Sequence, residues 1–241
     1  MEGGEFMPAN RIFLAAALLA CLIASAPGKD ENPAMRHRMV QEQIRARGVR
    51  DERVLSAMET VPRHLFVDPD FTDEAHADSP LPIGEGQTIS QPYIVALMSE
   101  LAEIAPGEKV LEIGTGSGYA AAVLAELGAE VWSIEIIPEL GRLARENLAA
   151  AGYDSLHLRV GDGYAGWPEA APFDAVLLTA APREIPQPLI DQLAEGGVLV
   201  APVGGWHQEL VQIRKISGEL KRRRVIPVRF VPMTGKALKG P

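Results

Sequence analysis

An α/β fold, doubly wound about a mostly parallel sheet and finished by an antiparallel hairpin, follows from three observations. Beyond Gly107, short apolar runs alternate with helical segments. A buried strand passes through closely spaced glycines into an Ala-rich helix between Val110 and Ala120. After His207 the rhythm changes to two longer strand-like runs, Glu209 to Ile216 and Leu220 to Val231, joined at Ser217-Gly218. Continuous apolar strands separated by helices belong to a parallel sheet covered on both faces, and two long runs joined by a Gly turn belong to a hairpin.

In chain order, Asn32-Pro33 reads as N-cap and first helical position, and Met35, Met39, Val40 and Ile44 share a face until Gly48 stops the helix. A second helix spans Glu52 to Glu59 and is closed by Pro62. Asp68 to Gln87 is dense in Pro, Gly, Asp and Thr with no periodicity, a loop length that usually covers a site. Pro92 opens a helix whose stripe is Ile94, Leu97, Met98 and Leu101, ending by Pro106. The sheet strands expected next are Lys109 to Ile113, Glu130 to Ile134, Leu156 to Val160, Ala175 to Thr179 and Val198 to Pro202.

Charge and composition exclude several classes. With 23 Lys and Arg against 32 Asp and Glu, the net charge of -9 repels a polyphosphate backbone, so nucleic acid is not an expected partner. A single cysteine, Cys21, and five histidines never three to five residues apart give no local metal-ligand set. Lys221 to Arg224 follows the hairpin turn and reads as a solvated edge. Trp132, Trp167 and Trp206 have no regular spacing and read as core or rim packing, and His64 and His207 as loop residues.

Residues 1–31 form a leader. Its block Ile12 to Ala26 is short for a bilayer span and ends in Ala24-Ser25-Ala26, which fits the core of an export signal. Leu18-Leu19-Ala20-Cys21 also resembles a lipoprotein box. Against both, Met1 to Phe6 carries Glu2 and Glu5 and no basic residue.

The chemistry concentrates at Val110-Leu111-Glu112-Ile113-Gly114-Thr115-Gly116-Ser117-Gly118-Tyr119. Glycines let a backbone approach a ligand closely, and the following helix start offers free amides. The dinucleotide fingerprint needs its third glycine at position 119, which is Tyr, so the spacing disfavours a dinucleotide. A tight strand-to-helix turn selects glycine for geometry alone. Two acids weigh against that reading: Glu135 ends the next strand, 21 residues after Gly114, where a carboxylate accepts from both ribose hydroxyls, and Gly161-Asp162-Gly163 ends the third, where an acid faces an adenine amine.

Beyond these, Val61-Pro62-Arg63-His64-Leu65-Phe66-Val67, Leu81-Pro82-Ile83-Gly84, Gly86-Gln87-Thr88-Ile89-Ser90-Gln91-Pro92-Tyr93, Pro202-Val203-Gly204 and Phe230-Val231-Pro232 complete a pattern. The sequence resembles the protein-L-isoaspartate (D-aspartate) O-methyltransferase family, a branch of the class I S-adenosylmethionine-dependent methyltransferases, from about Met35 to Met233. The glycine motif is shared by many methyltransferases; GQTISQPY is specific to this branch. Ile136-Ile137 departs from it, standing where relatives often carry a basic residue.

The resemblance implies a class I methyltransferase (Rossmann-like) domain over residues 32–235, with helices and a substrate lid in 32–106 and a cofactor-binding sheet in 107–235. It implies S-adenosyl-L-methionine as cofactor, held by Glu112, Gly114, Thr115, Gly116, Ser117, Gly118, Glu135, Asp162 and Gly163. It assigns Ser90 and Thr88 to catalysis and Ile83, Gln87, Ile89 and Val231 to substrate. Ser90 also stands where an ordinary helix cap would. The substrate implied is the free carboxylate of an isoaspartyl or D-aspartyl residue in a damaged protein or peptide, whose methyl ester collapses to a succinimide. A carboxylate is already ionised near neutral pH, so no general base is required. A monomer without metal is expected, cytoplasmic because the cofactor is made there; the alternative is a periplasmic or membrane-anchored enzyme held through residues 12–26. Two other functions remain open at this point: a methyltransferase for another carboxylate or hydroxyl, and a non-catalytic adenosine-ligand module.

Overall fold

The computed structural model describes Met1 and residues 33–238; the leader with its Ile12–Ala26 block, Cys21 and the expected N-cap Asn32 lie outside the described residues. The opening helix α1 (Pro33–Arg38) continues through a π-helical segment, Met39–Ile44, and a 3-10 turn, Arg45–Arg47, until Gly48 adopts φ 103°. Met39, Val40 and Ile44 are buried as their spacing predicts, whereas Met35 is exposed. Helix α2 (Glu52–Thr60) is capped by Asp51, whose side chain accepts from the Arg53 amide.

The supposedly featureless loop carries structure. A 3-10 stretch, Pro69–Glu74, precedes two-residue strands β1 (Leu81–Pro82) and β2 (Thr88–Ile89), which pair antiparallel with Leu81 opposite Ile89. Such short pieces leave no periodicity to read. Helix α3 (Pro92–Ala102) ends four residues before Pro106 because Glu103 turns left-handed at φ 55°.

The main sheet comprises β3 (Lys109–Ile113), β4 (Glu130–Glu135), β5 (His157–Val160), β6 (Phe173–Leu178), β7 (Leu193–Gly204), β8 (Gln208–Ile216) and β9 (Glu219–Val228), in the order β5-β4-β3-β6-β7-β8-β9. Pairing is parallel from β5 to β7 and antiparallel from β7 to β9. Helices α4 (Tyr119–Glu126), α5 (Pro138–Ala150) and α6 (Gln187–Asp191) connect the parallel strands. The order reverses at β3, and in open sheets of this kind ligands bind at the carboxyl ends of the strands beside that reversal.

Each central strand feeds two cores, because successive side chains point to opposite faces. Val110, Ala175, Leu177, Val198 and Val200 pack with α2, α3 and α4, while Leu111, Ile113, Val176, Leu178, Leu199 and Ala201 pack with Trp167 and Leu189 behind the sheet. At roughly 1.5–3 kcal/mol per large buried side chain, this double layer makes the strand ends rigid supports. The hairpin turn is as read: Ser217 (φ 53°) and Gly218 (φ 77°) are both left-handed, as a type I′ turn demands. Strand β9, however, stops at Val228 and not at Val231. Phe230 is held through Gln208, whose side-chain oxygen accepts from its amide at 2.6 Å, and the chain then leaves the sheet so that Pro232 bridges Ala181. Trp167 is buried and Trp132 stacks on His157 at 3.9 Å, but Trp206 is fully exposed and packs on nothing.

Candidate active site

The carboxyl ends of β3, β4 and β6 and the loop after β5 open onto one cleft. Its floor is the glycine turn. Gly114 stands at φ 101°, and a Cβ there would strike the Thr179 hydroxyl, which itself lies 2.5 Å from the Gly114 carbonyl and ties the end of β6 to the turn. Asn147 of α5 donates to the Ser117 carbonyl at 3.0 Å, fixing the other end.

Glu135 lies against this turn, 5% exposed: one carboxylate oxygen accepts from the Gly116 amide at 2.8 Å and the other from the Ile137 amide at 3.0 Å. Asp162 accepts from the Tyr164 amide and from the Lys236 amide, each at 2.9 Å. The second bond pins the segment after β9 over the cleft, where Val231, Pro232, Met233 and Thr234 form a strap along its wall. The lid brings Gln87, Thr88, Ile89 and Ser90 to the cleft surface.

Thus Ser90, Thr88, Gln87, Ile89, Val231, Gly114, Thr115, Gly116, Ser117, Glu135, Asp162 and Gly163 surround one space. Gly118 does not face it; it starts α4 at φ 95° with its α-carbon against Leu148, a structural duty. Two further expectations need correction. Ile83 is buried with its side chain toward Gly116, so it props the lid on the turn without reaching the cleft. Glu112 lies off the cleft on the face of β3 opposite Ile113, completely buried. Ser133 donates to one Glu112 oxygen at 2.5 Å, which leaves Thr115 to donate to Ser133 at 2.6 Å. Burial, with a smaller push from the Glu135 charge and against the Ser133 bond, raises the Glu112 carboxyl to about 8. Glu112 therefore supports the floor from beneath as a neutral acid.

The cap reading of Ser90 loses its footing: Gln91 is the N-cap residue of α3, and its side chain donates to Asp78 at 2.7 Å. Sequence reasoning missed Thr179, Met233 and Thr234 on the cleft wall. Thr179 was within reach, since it follows a parallel strand at the reversal; Thr234 carries no local signal.

The sequence profile described as protein-L-isoaspartate(D-aspartate) O-methyltransferase (PCMT) matches residues 34–238. The chain belongs to this family. It is 56% identical over 206 residues to a protein-L-isoaspartate O-methyltransferase of Picosynechococcus sp., covering 86% of this chain and 93% of that protein. A protein of the same name from Gloeobacter violaceus is 58% identical over 198 residues, covering 81% and 97%. Among solved structures, one titled protein-L-isoaspartate O-methyltransferase superposes with a TM-score of 0.77 at 29% identity, covering 84% of this chain and 67% of that one. A Plasmodium falciparum relative in complex with S-adenosyl-L-homocysteine gives 0.73 at 26% identity, covering 83% and 98%.

The cleft of this family member suits S-adenosyl-L-methionine. Ser117 carries a buried hydroxyl with no partner among the described residues, on the cleft wall. Glu135 and Asp162 supply the acceptors that ribose hydroxyls and an adenine amine need, and both favour a cationic ligand. Among the described residues no cluster of His, Cys, Asp or Glu is arranged to hold a metal ion, and no helix is long and apolar enough to cross a membrane.

Proposed function

We infer that this protein is a repair methyltransferase, moving a methyl group from S-adenosyl-L-methionine to the free carboxylate of L-isoaspartyl and D-aspartyl residues in damaged proteins and peptides. The neighbouring backbone amide nitrogen then attacks the ester carbonyl, loses its proton and expels methanol, closing a succinimide. The observation that carries this reading is the convergence of the lid residues Thr88 and Ser90 with the glycine turn and Glu135 on one cleft.

When bound, the cofactor supplies an electrophilic methyl group. Glu135 holds its ribose end, Asp162 and Gly163 its adenine end, and the turn from Gly114 to Ser117 the remainder. The substrate carboxylate, with a pKa of about 4, reaches the site ionised, so nothing need accept a proton. Glu135 and Asp162 are the carboxylates on the cleft wall, and both are given to the cofactor in this reading. Ser90 donates its hydroxyl hydrogen to the carboxylate oxygen that does not react, with Thr88 beside it, which fixes the orientation of the reacting oxygen. Gln87 and Ile89 on the lid and Val231 on the strap line the cleft and would shield the forming ester from water.

A monomer is the working unit this reading favours. The cytoplasm, where the cofactor is made, is the location this reading favours. The deciding experiment offers the protein labelled cofactor with an isoaspartyl peptide and its aspartyl twin. Label is expected in a base-labile ester of the first alone; no label under saturating cofactor overturns the reading.

A further inference from the structure

The cleft is electrostatically one-sided. Glu135 and Asp162 line it, and no Lys or Arg does so among its described residues. That suits a cationic cofactor and repels an anionic substrate. A buried positive charge lies behind Ser90. Arg63, in the 3-10 turn Arg63–Phe66, is completely buried, its Nη2 donating to the Ser90 carbonyl at 2.7 Å and its Nε to the Ala75 carbonyl at 2.8 Å. Its guanidinium lies over the Tyr119 ring, 4.6 Å from the centroid, and Tyr119 begins the helix that follows the glycine turn and lines the cleft. One side chain thus joins the entry to the lid, the Ser90 turn and the cofactor helix.

Among the described residues no carboxylate neutralises this cation. Its Nη1 is buried with no hydrogen-bond acceptor in good geometry among the described residues, and no Asp or Glu there pairs with it; the Tyr119 side chain, through its hydroxyl and its ring, is what favours the charge. A buried charge is costly unless paired, and arginine does not shed its proton to escape the cost. The two arginines on the neighbouring groove differ. Arg47 is half-exposed and bound to Asp78 at 3.1 Å, and Arg229 is exposed.

We propose that Arg63 is a positioning residue that fixes the Ser90 turn and whose unneutralised charge makes the site select a carboxylate over a neutral amide. The proposal rests on the isoaspartyl reading, because the carboxylate of that substrate is the anion concerned. Its charge acts through the turn it holds. Buried in a low-dielectric interior, it is screened far less by salt than the rim arginines.

The test measures calorimetric binding of an isoaspartyl peptide and of its isoasparaginyl amide twin to the protein saturated with S-adenosyl-L-homocysteine. The native protein is expected to prefer the carboxylate by about tenfold or more, and to keep most of that preference in roughly 1 M salt. In Arg63→Gln the preference is expected to fall to about twofold or less, with Arg63→Lys retaining part of it and cofactor-product affinity within about threefold in both. Equal weakening of both peptides in Arg63→Gln means a purely structural role and overturns the proposal. So does a native preference abolished by salt, which assigns it to Arg47 or Arg229; that arm decides the matter even where the variants do not fold. Native protein that binds both peptides equally sinks this proposal alone, whereas binding of neither sinks the isoaspartyl reading with it.

Discussion

On the floor of the cleft, Thr115, Ser117, Glu135 and Glu112 are each 5% exposed or less, whereas Gly84, Glu85, Gly86 and Thr88 of the lid stand in solvent. The floor is held by strand ends, by Thr179 and Asn147 bonds to the turn, and by the Thr115–Ser133–Glu112 chain. The lid has a two-residue ladder and the buried Arg63 at its base. Cofactor recognition is therefore built into the sheet, and substrate recognition into a short loop that depends on few anchors. Loops of that kind draw on the low-stability end of a structure, which suits a site that must admit a segment of another protein.

Substitutions separate the two sides. The largest effect belongs to the floor: Gly114→Val meets both the positive φ and the Thr179 hydroxyl, and is expected to weaken cofactor-product binding beyond about 1,000-fold by calorimetry. Next comes Glu112. A carboxyl neutral in the native protein up to about 8 but ionised above 4.5 in the unfolded chain binds more protons when folded, so its stabilisation shrinks as pH rises through that window. Between pH 5 and 8 the native protein should lose up to about 3 kcal/mol relative to Glu112→Gln in urea unfolding. Parallel pH profiles would show instead that Glu112 is charged when folded.

On the lid side, Ser90→Ala is expected to lower kcat by about 100-fold while cofactor-product affinity stays within about twofold. Glu135→Gln should do the reverse in kind, raising the cofactor KM by about tenfold with kcat little changed. The smallest effect is Gly86→Ala: at φ 66° with open space around the α-carbon, only backbone strain of about 1 kcal/mol is expected in thermal unfolding. A loss of cofactor affinity in that variant would mean that lid and floor are coupled more tightly than their contacts suggest.

How much of this was legible depended on whether each residue's role is local. Strand β3 was read to the residue because a short apolar run ending in glycine is its own signature, and Glu135 followed from the length of one β–α–β unit. The motif records that an acid stands at Glu112 but not which face of the strand it takes; alternation puts it opposite Ile113, off the cleft wall. The end of β9 was overshot since Phe230 and Val231 have strand composition, and only the Gln208 and Ala181 contacts take them out of the sheet. Arg63 and Thr234 were out of reach for a further reason: their partners, Ser90 in one case and a cleft built from residues far upstream in the other, are set by tertiary closure.

The outer strand β9 bears on the company this enzyme keeps. Its residues 219–224 are exposed on both faces, and Lys221, Arg222, Arg223 and Arg224 occupy four successive positions of the sheet's free edge. Proteins that have accumulated isoaspartate are aged chains, prone to local unfolding and to exposing extended segments. A neutral, apolar edge would recruit such segments by backbone pairing, and the repair enzyme would be drawn into the deposits formed by its own clients. The run of basic side chains, of which Arg224 pairs with Glu209 at 3.2 Å, makes that pairing unfavourable for any partner that is not strongly acidic.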